Sequence, residues 1–277
     1  KWFSLIIALF FVVFETITCL NIKETSTVDM ETASVKDMFK SLLSNDQALA
    51  IVVAIVIVNL SIYITSNLLI YFFKYDFGGA NWYKSYTVFN TFGGAMQILA
   101  MMLLFPLLRK FMTTIKIFIT SLVMAIVGYI VLLALTFTSM NNVILLFIPG
   151  FLIFAANGML MVLTTIFLAN TVDYGEYKNG RRDESVIFSM QTFVVKLASG
   201  VAALIAALAL AIFHFGNSSQ SAHVVKMATS SIVGLRMTMT LIPIAGLVFG
   251  ILFFKKKYIL TAQKMDEITK AIKHKEA

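Results

Sequence analysis

Lys196 is the residue in this sequence whose setting most needs a chemical explanation. It lies in the middle of an almost wholly apolar stretch, residues 186–203, VIFSMQTFVVKLASGVAA. An ammonium group at membrane depth costs on the order of 3 kcal/mol on insertion scales, and such groups usually face a cavity and find a partner. A functional lysine would pair with carboxylates there. The plainer alternative is a structural ion pair, or a side chain that extends to one membrane surface.

Small and polar side chains surround Lys196 at helical spacing. They recur at steps of three, four and seven residues: Ser189, Thr192, Lys196, Ser199, Gly200 and Ala203. This spacing places them on one face of a helix. The sequence therefore predicts a stripe that lines a water-filled path or a tight helix contact.

A second polar stripe lies earlier in the chain. Its members are neighbours on one helix face at Asn59, Tyr63, Ser66 and Asn67. An asparagine in hydrocarbon has to be paired or hydrated. Interhelical hydrogen bonding explains this stripe as well as a functional role does.

The densest group of charges lies in NTVDYGEYKNGRRDES, residues 170–185, which we interpret as a loop that bends at Gly175 and Gly180. Arginine and carboxylate side chains here could latch two helix ends through bidentate pairs. A carrier with alternating access needs a latch of this kind, made in one state and broken in the other. The alternative is a solvated loop whose basic residues only set the topology.

The amino-acid composition is that of a membrane protein. Of the 277 residues, 59% are hydrophobic and 13% are charged, whereas soluble domains average about 25% charged residues. A membrane-spanning helix needs about 20 mostly apolar residues. Seven stretches qualify, so we predict an all-α membrane protein with about seven transmembrane helices at roughly 2–20, 48–73, 87–108, 116–138, 143–169, 186–213 and 232–254.

The positive charges are unevenly distributed over the predicted loops. Alternate loops hold 16 and 4 of the Lys and Arg residues, and Lys196 and Arg236 lie inside spans. Basic loops stay in the cytoplasm, so we expect a cytoplasmic carboxy-terminus in the cell membrane. The net charge of +8 is then explained by topology and the lipid bilayer, and no nucleic-acid partner is expected. Cys19, the single cysteine, can form neither an internal disulfide nor a metal cluster.

The longest polar break, residues 20–47, is the best internal boundary. It is rich in Thr, Ser and acidic residues and then becomes amphipathic at Val35, Met38, Phe39, Leu42 and Leu43. This spacing predicts a short surface helix after a flexible linker.

The stretch DYGEYKNGRRDES (residues 173–185), followed by SMQTFVVK (residues 189–196), is the most specific motif of the chain. It resembles the signature of the glycoside–pentoside–hexuronide:cation symporters, most closely the melibiose permease branch. NDQALA (residues 45–50) and SNLLIYFFKYDFGG (residues 66–79) are similar to that branch as well. The resemblance extends over residues 1 to about 260.

The resemblance implies the major facilitator fold, with twelve helices in two six-helix bundles and a sugar between them. This chain would then supply the sixth to twelfth helices, as the carboxy-terminal part of the carrier. Its parts would be the last helix of the amino-terminal bundle, the central cytoplasmic loop, the carboxy-terminal bundle and a cytoplasmic tail, at 1–20, 21–46, 47–255 and 256–277. The implied function is sugar or glycoside symport with a monovalent cation, Na⁺ or H⁺. This is transport and not enzyme chemistry, with no cofactor and no metal site in this part.

Individual roles follow from the same resemblance. The substrate and coupling set is Gln191, Thr192 and Lys196, to which we add Asn59 of the second stripe. A cytoplasmic gate is expected from Asp173, Tyr174, Glu176, Arg182 and Glu184. The chain departs from the melibiose branch at Asn170, where that branch has an acid, and at Met161, where it has a tryptophan. The first departure weakens the inner latch and the second bears on which sugar is bound.

Two other classes of membrane protein compete with this interpretation. A seven-helix receptor or retinal protein also has seven spans, and a membrane lysine can form a Schiff base. Against it, Lys196 lies on the sixth predicted span, whereas the retinal lysine normally lies on the seventh. A channel subunit is the third class, but the sequence shows no filter-like loop and no ring-forming charge repeat.

Overall fold

The structure, a computed structural model, describes residues 2–22, 40, 42–79, 81–138, 142–180, 182–215 and 227–276. The chain divides into two compact units, Lys1–Ser34 and Val35–Ala277. The first unit contains helix α1, Trp2–Asn21, whose side chains are exposed along its length.

The second unit contains the other helices. Four of them are α2 (Asp46–Tyr71), α3 (Trp82–Leu99), α4 (Thr114–Thr136) and α5 (Phe147–Asn179). The chain continues with α6 (Glu184–Ile212), α7 (Thr229–Lys257) and α8 (Ala262–Glu276). Helix α2 continues through a π-helical segment, Phe72–Phe77, and α3 continues through Ala100–Leu104 into a last turn, Phe105–Arg109. A 3₁₀ turn, Val143–Leu146, leads into α5.

Polar residues mark where several helices begin. The side chain of Asn45 accepts a hydrogen bond from the backbone nitrogen of Ala48 at the start of α2. The side chain of Thr113 accepts one from the backbone nitrogen of Lys116 at the start of α4. Asparagine and threonine are favoured at this position because their oxygens satisfy backbone N–H groups that have no partner inside the helix.

Among the described residues, seven helices are long and apolar enough to cross a membrane. The predicted all-α membrane class is therefore confirmed. The predicted spans lie within or beside the observed helices, which are mostly longer at one or both ends. The division of the chain into bundle, loop and tail at 20, 46 and 255 stays a prediction.

The prediction of a loop over residues 170–185 is wrong for most of its length. Helix α5 continues through Asn179, and α6 begins at Glu184. Of the described residues between them, Gly180, Arg182 and Asp183 are non-helical. Gly175 lies buried inside the helix, and a Cβ there would come within 2.6 Å of the Asn45 amide nitrogen. The bend occurs at Gly180, which has a φ of 70° and ends the helix in the left-handed conformation that glycine adopts easily.

An aromatic cluster joins three elements at one end of the second unit. Phe118 of α4 and Phe254 of α7 have ring centroids 4.4 Å apart, and Phe167 of α5 lies 5.3 Å from both. Tyr258 stacks on Phe254 just beyond α7, with centroids 4.7 Å apart. Such pairs contribute about 0.5–1.5 kcal/mol each beyond area burial. We call this the basic end of the unit, the end at which α2 and α6 begin and α5 and α7 finish.

Helices α3 and α5 approach each other closely because one of them carries a glycine. A Cβ at Gly158 would lie 2.3 Å from the backbone oxygen of Gln97. Small residues at such crossings let two backbones approach, which is how helices in membranes gain packing energy.

Helix α8 packs against α5 at the basic end. Ile268 and Leu260 are buried in the core cluster, and Met265 and Ile272 pack against it. The region predicted as a tail thus contains a packed helix. Of the predicted surface helix, Val35, Met38 and Phe39 lie outside the described residues, whereas Leu42 is buried and Leu43 is exposed.

Candidate functional site

Lys196 lies close to halfway along the 29-residue helix α6. It is 12 residues beyond Glu184, or about 18 Å along the axis at 1.5 Å per residue. Its side chain is exposed, and no ion pair joins it to any carboxylate among the described residues. The structure therefore presents an ammonium group at mid-helix on an open face.

Helix α6 has three different faces, and Lys196 defines one of them. The buried face packs against the unit through Ile187, Met190, Val194, Ala198, Ala202, Ala206 and Ala209. An exposed apolar face, roughly 100° around the helix from Lys196, carries Phe193, Leu197, Leu204 and Leu208. The predicted stripe is the third face, and all six of its members are exposed: Ser189, Thr192, Lys196, Ser199, Gly200 and Ala203. An exposed apolar face suits lipid, and the separate polar face suits water or another polar surface.

The other members of the predicted substrate set are only partly brought together. Thr192 lies one turn from Lys196, and its hydroxyl donates to the backbone oxygen of Phe188 at 3.2 Å. Gln191 is half-buried beside it. Asn59 is half-buried on the neighbouring helix α2, and its amide donates to the backbone oxygen of Ile55 at 2.9 Å. Among the described residues no hydrogen bond links Asn59 to Lys196, so its role stays a prediction.

Arg182 is the centre of an ion-pair cluster at the basic end. One terminal guanidinium nitrogen lies 3.1 Å from Asp173 and 2.8 Å from Glu176. Its Nε lies 3.3 Å from Glu184 at the start of α6. The hydrogen bond to Glu176 is the largest contribution that raises the pKa of Arg182, which stays charged throughout the physiological range. Arg182 thus connects the last turns of α5 to the first turn of α6.

The Arg182 cluster faces a small cavity beside helix α8. The cavity has a volume of about 360 Å³ and is lined by Asp173, Glu176, Arg182, Thr269, Ile272 and Lys273. Arg182 keeps 51% of its side chain exposed. The cluster is therefore accessible to water, and its ion pairs can break and re-form at modest cost.

Tyr174 belongs to a different cluster from the other predicted gate residues. Its hydroxyl donates to Asp46 at the start of α2 over 3.1 Å, and Lys178 forms an ion pair with the same carboxylate. The grouping of Tyr174 with Arg182 is not observed. Along a helix, Asp173 and Tyr174 point about 100° apart, so adjacent residues of the motif contact different partners.

Three consecutive residues to which the sequence analysis gave no role hold the basic end together. Asn45 donates from its amide to the backbone oxygen of Thr171 at 2.8 Å, besides capping α2. Asp46 binds Tyr174 and Lys178 of α5. Gln47 accepts from the backbone nitrogen of Ile259 at 3.0 Å, just beyond α7. An asparagine followed by an acid is a recognisable start of a helix, so the capping role could have been predicted from the sequence. The partners on α5 and beyond α7 could not, because no local pattern indicates them.

A buried ion pair at the opposite end of the unit was also missed. Arg236 of α7 binds Asp76, in the π-helical continuation of α2, through two hydrogen bonds of 2.6 and 2.7 Å. The sequence held a signal, because Asp76 is the only acidic residue between Asp46 and Asp173. An arginine inside an apolar span requires a carboxylate, and Asp76 was the one available near that end.

Helix α3 carries a polar face that was likewise missed. Its members lie at helical spacing at Thr87, Asn90, Thr91, Gly94 and Gln97. The amide nitrogen of Gln97 lies 3.0 Å from the sulfur of Met161 on α5. Met161 is the position at which the sequence departs from the melibiose branch, and it is exposed.

Several known proteins are similar to this chain over most of its length. The chain is 26% identical to the lactose permease of Lactobacillus helveticus, over 99% of this chain and 41% of that protein. It is 25% identical to the raffinose carrier protein of Pediococcus pentosaceus, over 86% of this chain and 35% of that protein. It is 26% identical to the isoprimeverose transporter of Lactiplantibacillus pentosus, over 92% and 52% respectively. The chain therefore spans about a third to a half of the length of these relatives.

A family model described as MFS/sugar transport protein matches residues 2–260. This match confirms the family resemblance drawn from the motif at 173–196, and it favours a carrier over a seven-helix receptor or a channel subunit. With seven apolar helices, the chain is that of a multi-pass membrane protein. The chain belongs to the MFS/sugar transport protein family.

Proposed function

We propose that this chain forms part of a carrier that moves a sugar or glycoside together with a monovalent cation, Na⁺ or H⁺, across the cytoplasmic membrane by alternating access. One observation carries the proposal: Lys196 lies at mid-helix on an exposed polar face with no carboxylate partner among the residues that the structure describes. An ammonium at this depth needs opposite charge, which a facing helical bundle would supply.

The faces of α6 support this arrangement. If Lys196 faced lipid, the stripe around it would be apolar, as it is around Leu197 and Leu204. The stripe is instead small and polar, which suits the wall of a central cavity. In this cavity Lys196 would hold a charge network with carboxylates of the facing bundle. Gln191 would donate a hydrogen bond to a sugar hydroxyl, and the Thr192 oxygen, whose hydrogen is used by Phe188, would accept one.

The Arg182 cluster supports a gate at the basic end. Its carboxylates come from α5 and from the start of α6, and its exposure lets the ion pairs exchange partners. Closing the cytoplasmic side would order these pairs against the facing bundle, and opening it would release them. The excess of basic residues at this end supports a cytoplasmic placement, with the carboxy-terminus in the cytoplasm.

Uptake into proteoliposomes tests the proposal. Labelled lactose, raffinose or melibiose is added outside, and an inward Na⁺ or H⁺ gradient is imposed separately. We expect one glycoside to accumulate above its external concentration with one of the two gradients, and the accumulation to vanish when the gradient is collapsed. Uptake that only equilibrates, with no dependence on either gradient, would overturn the cation coupling. Absence of uptake for every glycoside would overturn the substrate class.

A further inference from the structure

Six basic residues at the basic end lack carboxylate partners among the described residues. They lie at the end of the α3 segment, at the start of α4 and at the end of α7: Arg109, Lys110, Lys116, Lys255, Lys256 and Lys257. All six are exposed. We call this set the basic belt.

Four other cations at the same end are paired within the protein. Lys178 pairs with Asp46, and Arg182 pairs with three carboxylates. On α8, Lys264 lies 2.9 Å from Glu267 and Lys270 lies 2.6 Å from Asp266. The difference between paired and unpaired cations is informative, because the membrane topology explains why positive charge lies on this side but not why some of it is unpaired. The belt is the part of this charge on the α3 segment, α4 and α7 that the described residues leave without counter-charge; Lys273 of α8 also has no ion pair among them, but it lies beside the Arg182 cluster.

Each part of the basic belt lies at the end of an exposed, apolar helix face. On α4, Lys116 continues a single exposed stripe through Thr120, Val123, Val127 and Ile130. On α7, Lys255 continues an exposed stripe through Leu241, Ala245, Val248 and Leu252. Exposed apolar stripes on membrane helices face lipid chains, so the residues that end them lie at the level of the lipid headgroups.

The end of the α3 segment has the same arrangement. Met102, Leu103 and Leu107 are exposed, and Arg109 and Lys110 follow them. Phe111 comes next, with 80% of its surface exposed. A large apolar ring beside two cations is typical of a segment that lies in the interface, with the ring among acyl chains and the cations among headgroups.

The fold brings the parts of the belt to one side. The rings of Phe118 and Phe254, with centroids 4.4 Å apart, join the first turns of α4 to the last turns of α7. Lys116 and Lys255 therefore lie on neighbouring helices at the same end. Lys256 and Lys257 follow Lys255 directly, and the short connection Lys110–Thr113 between the α3 segment and α4 brings Arg109 and Lys110 to this side.

We propose that the basic belt is a binding surface for the phosphate headgroups of anionic phospholipids in the adjoining leaflet. Lysine and arginine donate strong hydrogen bonds to phosphate oxygens, and long basic side chains at helix ends extend to the headgroups while their stems stay in hydrocarbon. The surface is independent of the sugar site, because Lys196 lies on a different helix and far from this end. A phosphatidylglycerol headgroup is the chemistry that it fits, since this headgroup has a net negative charge, whereas the choline cation neutralises the phosphate of phosphatidylcholine.

Lipid retention by the purified protein tests this proposal. Wild-type protein is placed in nanodiscs that contain phosphatidylcholine and phosphatidylglycerol, and the lipids that remain bound after mild delipidation are counted by native mass spectrometry. We expect an excess of phosphatidylglycerol over the bulk ratio. Each basic residue near an anionic surface contributes about fivefold in partitioning. Replacing Lys255, Lys256 and Lys257 with Gln should therefore lower the apparent affinity for phosphatidylglycerol by about tenfold or more.

Matched variants separate the belt from charge in general. Lys264→Gln with Lys270→Gln removes two paired cations from the same end and should leave the lipid excess unchanged. Replacing the three belt lysines with Arg keeps the charge and should preserve the excess. An unchanged excess in the Gln variant, or an equal loss in the α8 control, would overturn the proposal.

Two measurements need only the wild-type protein, so the test stands if a belt variant fails to fold. Retention of phosphatidylglycerol should fall steeply with added salt, because exposed charges are screened within about 10 Å at 0.1 M ionic strength. Salt-independent retention would overturn the electrostatic account. Inorganic phosphate at millimolar concentration should not displace the lipid; displacement would assign the surface to free phosphate instead of a membrane lipid.

Discussion

The guanidinium group of Arg236 binds both carboxylate oxygens of Asp76, with Nε donating to Oδ2 at 2.7 Å and a terminal nitrogen donating to Oδ1 at 2.6 Å. The two residues are 160 positions apart in the chain. Only 3% of the Asp76 side chain and 19% of the Arg236 side chain are exposed. The pair therefore joins the end of α2 to α7 where little water reaches it, opposite the basic end.

Breaking this pair on one side should destabilise the protein strongly. Arg236→Met leaves the Asp76 carboxylate buried without a partner, which costs about 3–5 kcal/mol in comparable buried pairs. Asp76→Asn combined with Arg236→Met leaves no buried charge and should cost less than either single change. Thermal unfolding in detergent, followed by tryptophan fluorescence, measures the stability of the single and double variants. If the single and double variants lose stability additively, the two side chains are not coupled.

Replacing Lys196 should abolish coupled uptake without preventing membrane insertion. Lys196→Val removes the ammonium group from the polar face of α6. In the proposed carrier, carboxylates of a facing bundle would then lose their partner, and the cost of inserting α6 into the membrane would fall. The measurement is gradient-driven sugar accumulation, normalised to the amount of protein in the membrane. Leu197→Val, on the apolar exposed face, is the matched control and should retain accumulation. Full accumulation by the Lys196 variant would disprove the role assigned to the lysine.

Arg182→Ala should slow turnover and leave sugar affinity nearly unchanged. In the proposed mechanism Arg182 acts on a gate at the basic end, about 15–20 Å along α6 from the level of Lys196 by helical rise. Because half of its side chain is exposed, its loss should change the free energy of unfolding by at most about 1 kcal/mol. Sugar binding and transport rate are measured separately on the same preparation. Lys264→Ala, at a paired lysine with 44% of its side chain exposed, serves as control. A large loss of binding with normal exchange would contradict the prediction.

Asn45 and Gly175 should be energetically coupled. Asn45→Ala removes an N-cap, worth about 1 kcal/mol, together with the hydrogen bond to Thr171. Gly175→Ala places a methyl group within 2.6 Å of the Asn45 amide nitrogen and should displace that side chain at a similar cost. In the double variant the methyl group meets the space that Asn45 left, so the combined loss should be smaller than the sum.

Unfolding midpoints of the four proteins in this cycle measure the coupling. Gly94→Ala is the matched control, because a Cβ at Gly94 of α3 has no neighbour within 4 Å. There the substitution should be neutral or should stabilise by up to about 1 kcal/mol, the difference in helix propensity between the two residues. If the stability losses of Asn45→Ala and Gly175→Ala add up in the double variant, the close approach of the two residues does not contribute to stability.

Much of the architecture could be predicted from local properties of the chain. Membrane thickness sets the length of a spanning helix, so each of the seven spans was recognisable from its own residues. The polar stripe at Lys196 could be predicted because its spacing follows the helical period. The extension of α5 through Asn179 was missed because polar residues continue the helix beyond the apolar stretch, where hydropathy no longer reports it.

The sequence by itself thus determined that this protein is a bundle of membrane helices, and which side chains share a helix face. Only the tertiary structure decided the partners: Tyr174 with Asp46 instead of Arg182, Arg236 with Asp76, and Gln47 with the chain beyond α7. The physical reason is the separation along the chain over which each effect acts. Helical period and hydropathy act over a few residues, whereas a partner more than a hundred positions away is selected by how whole helices pack.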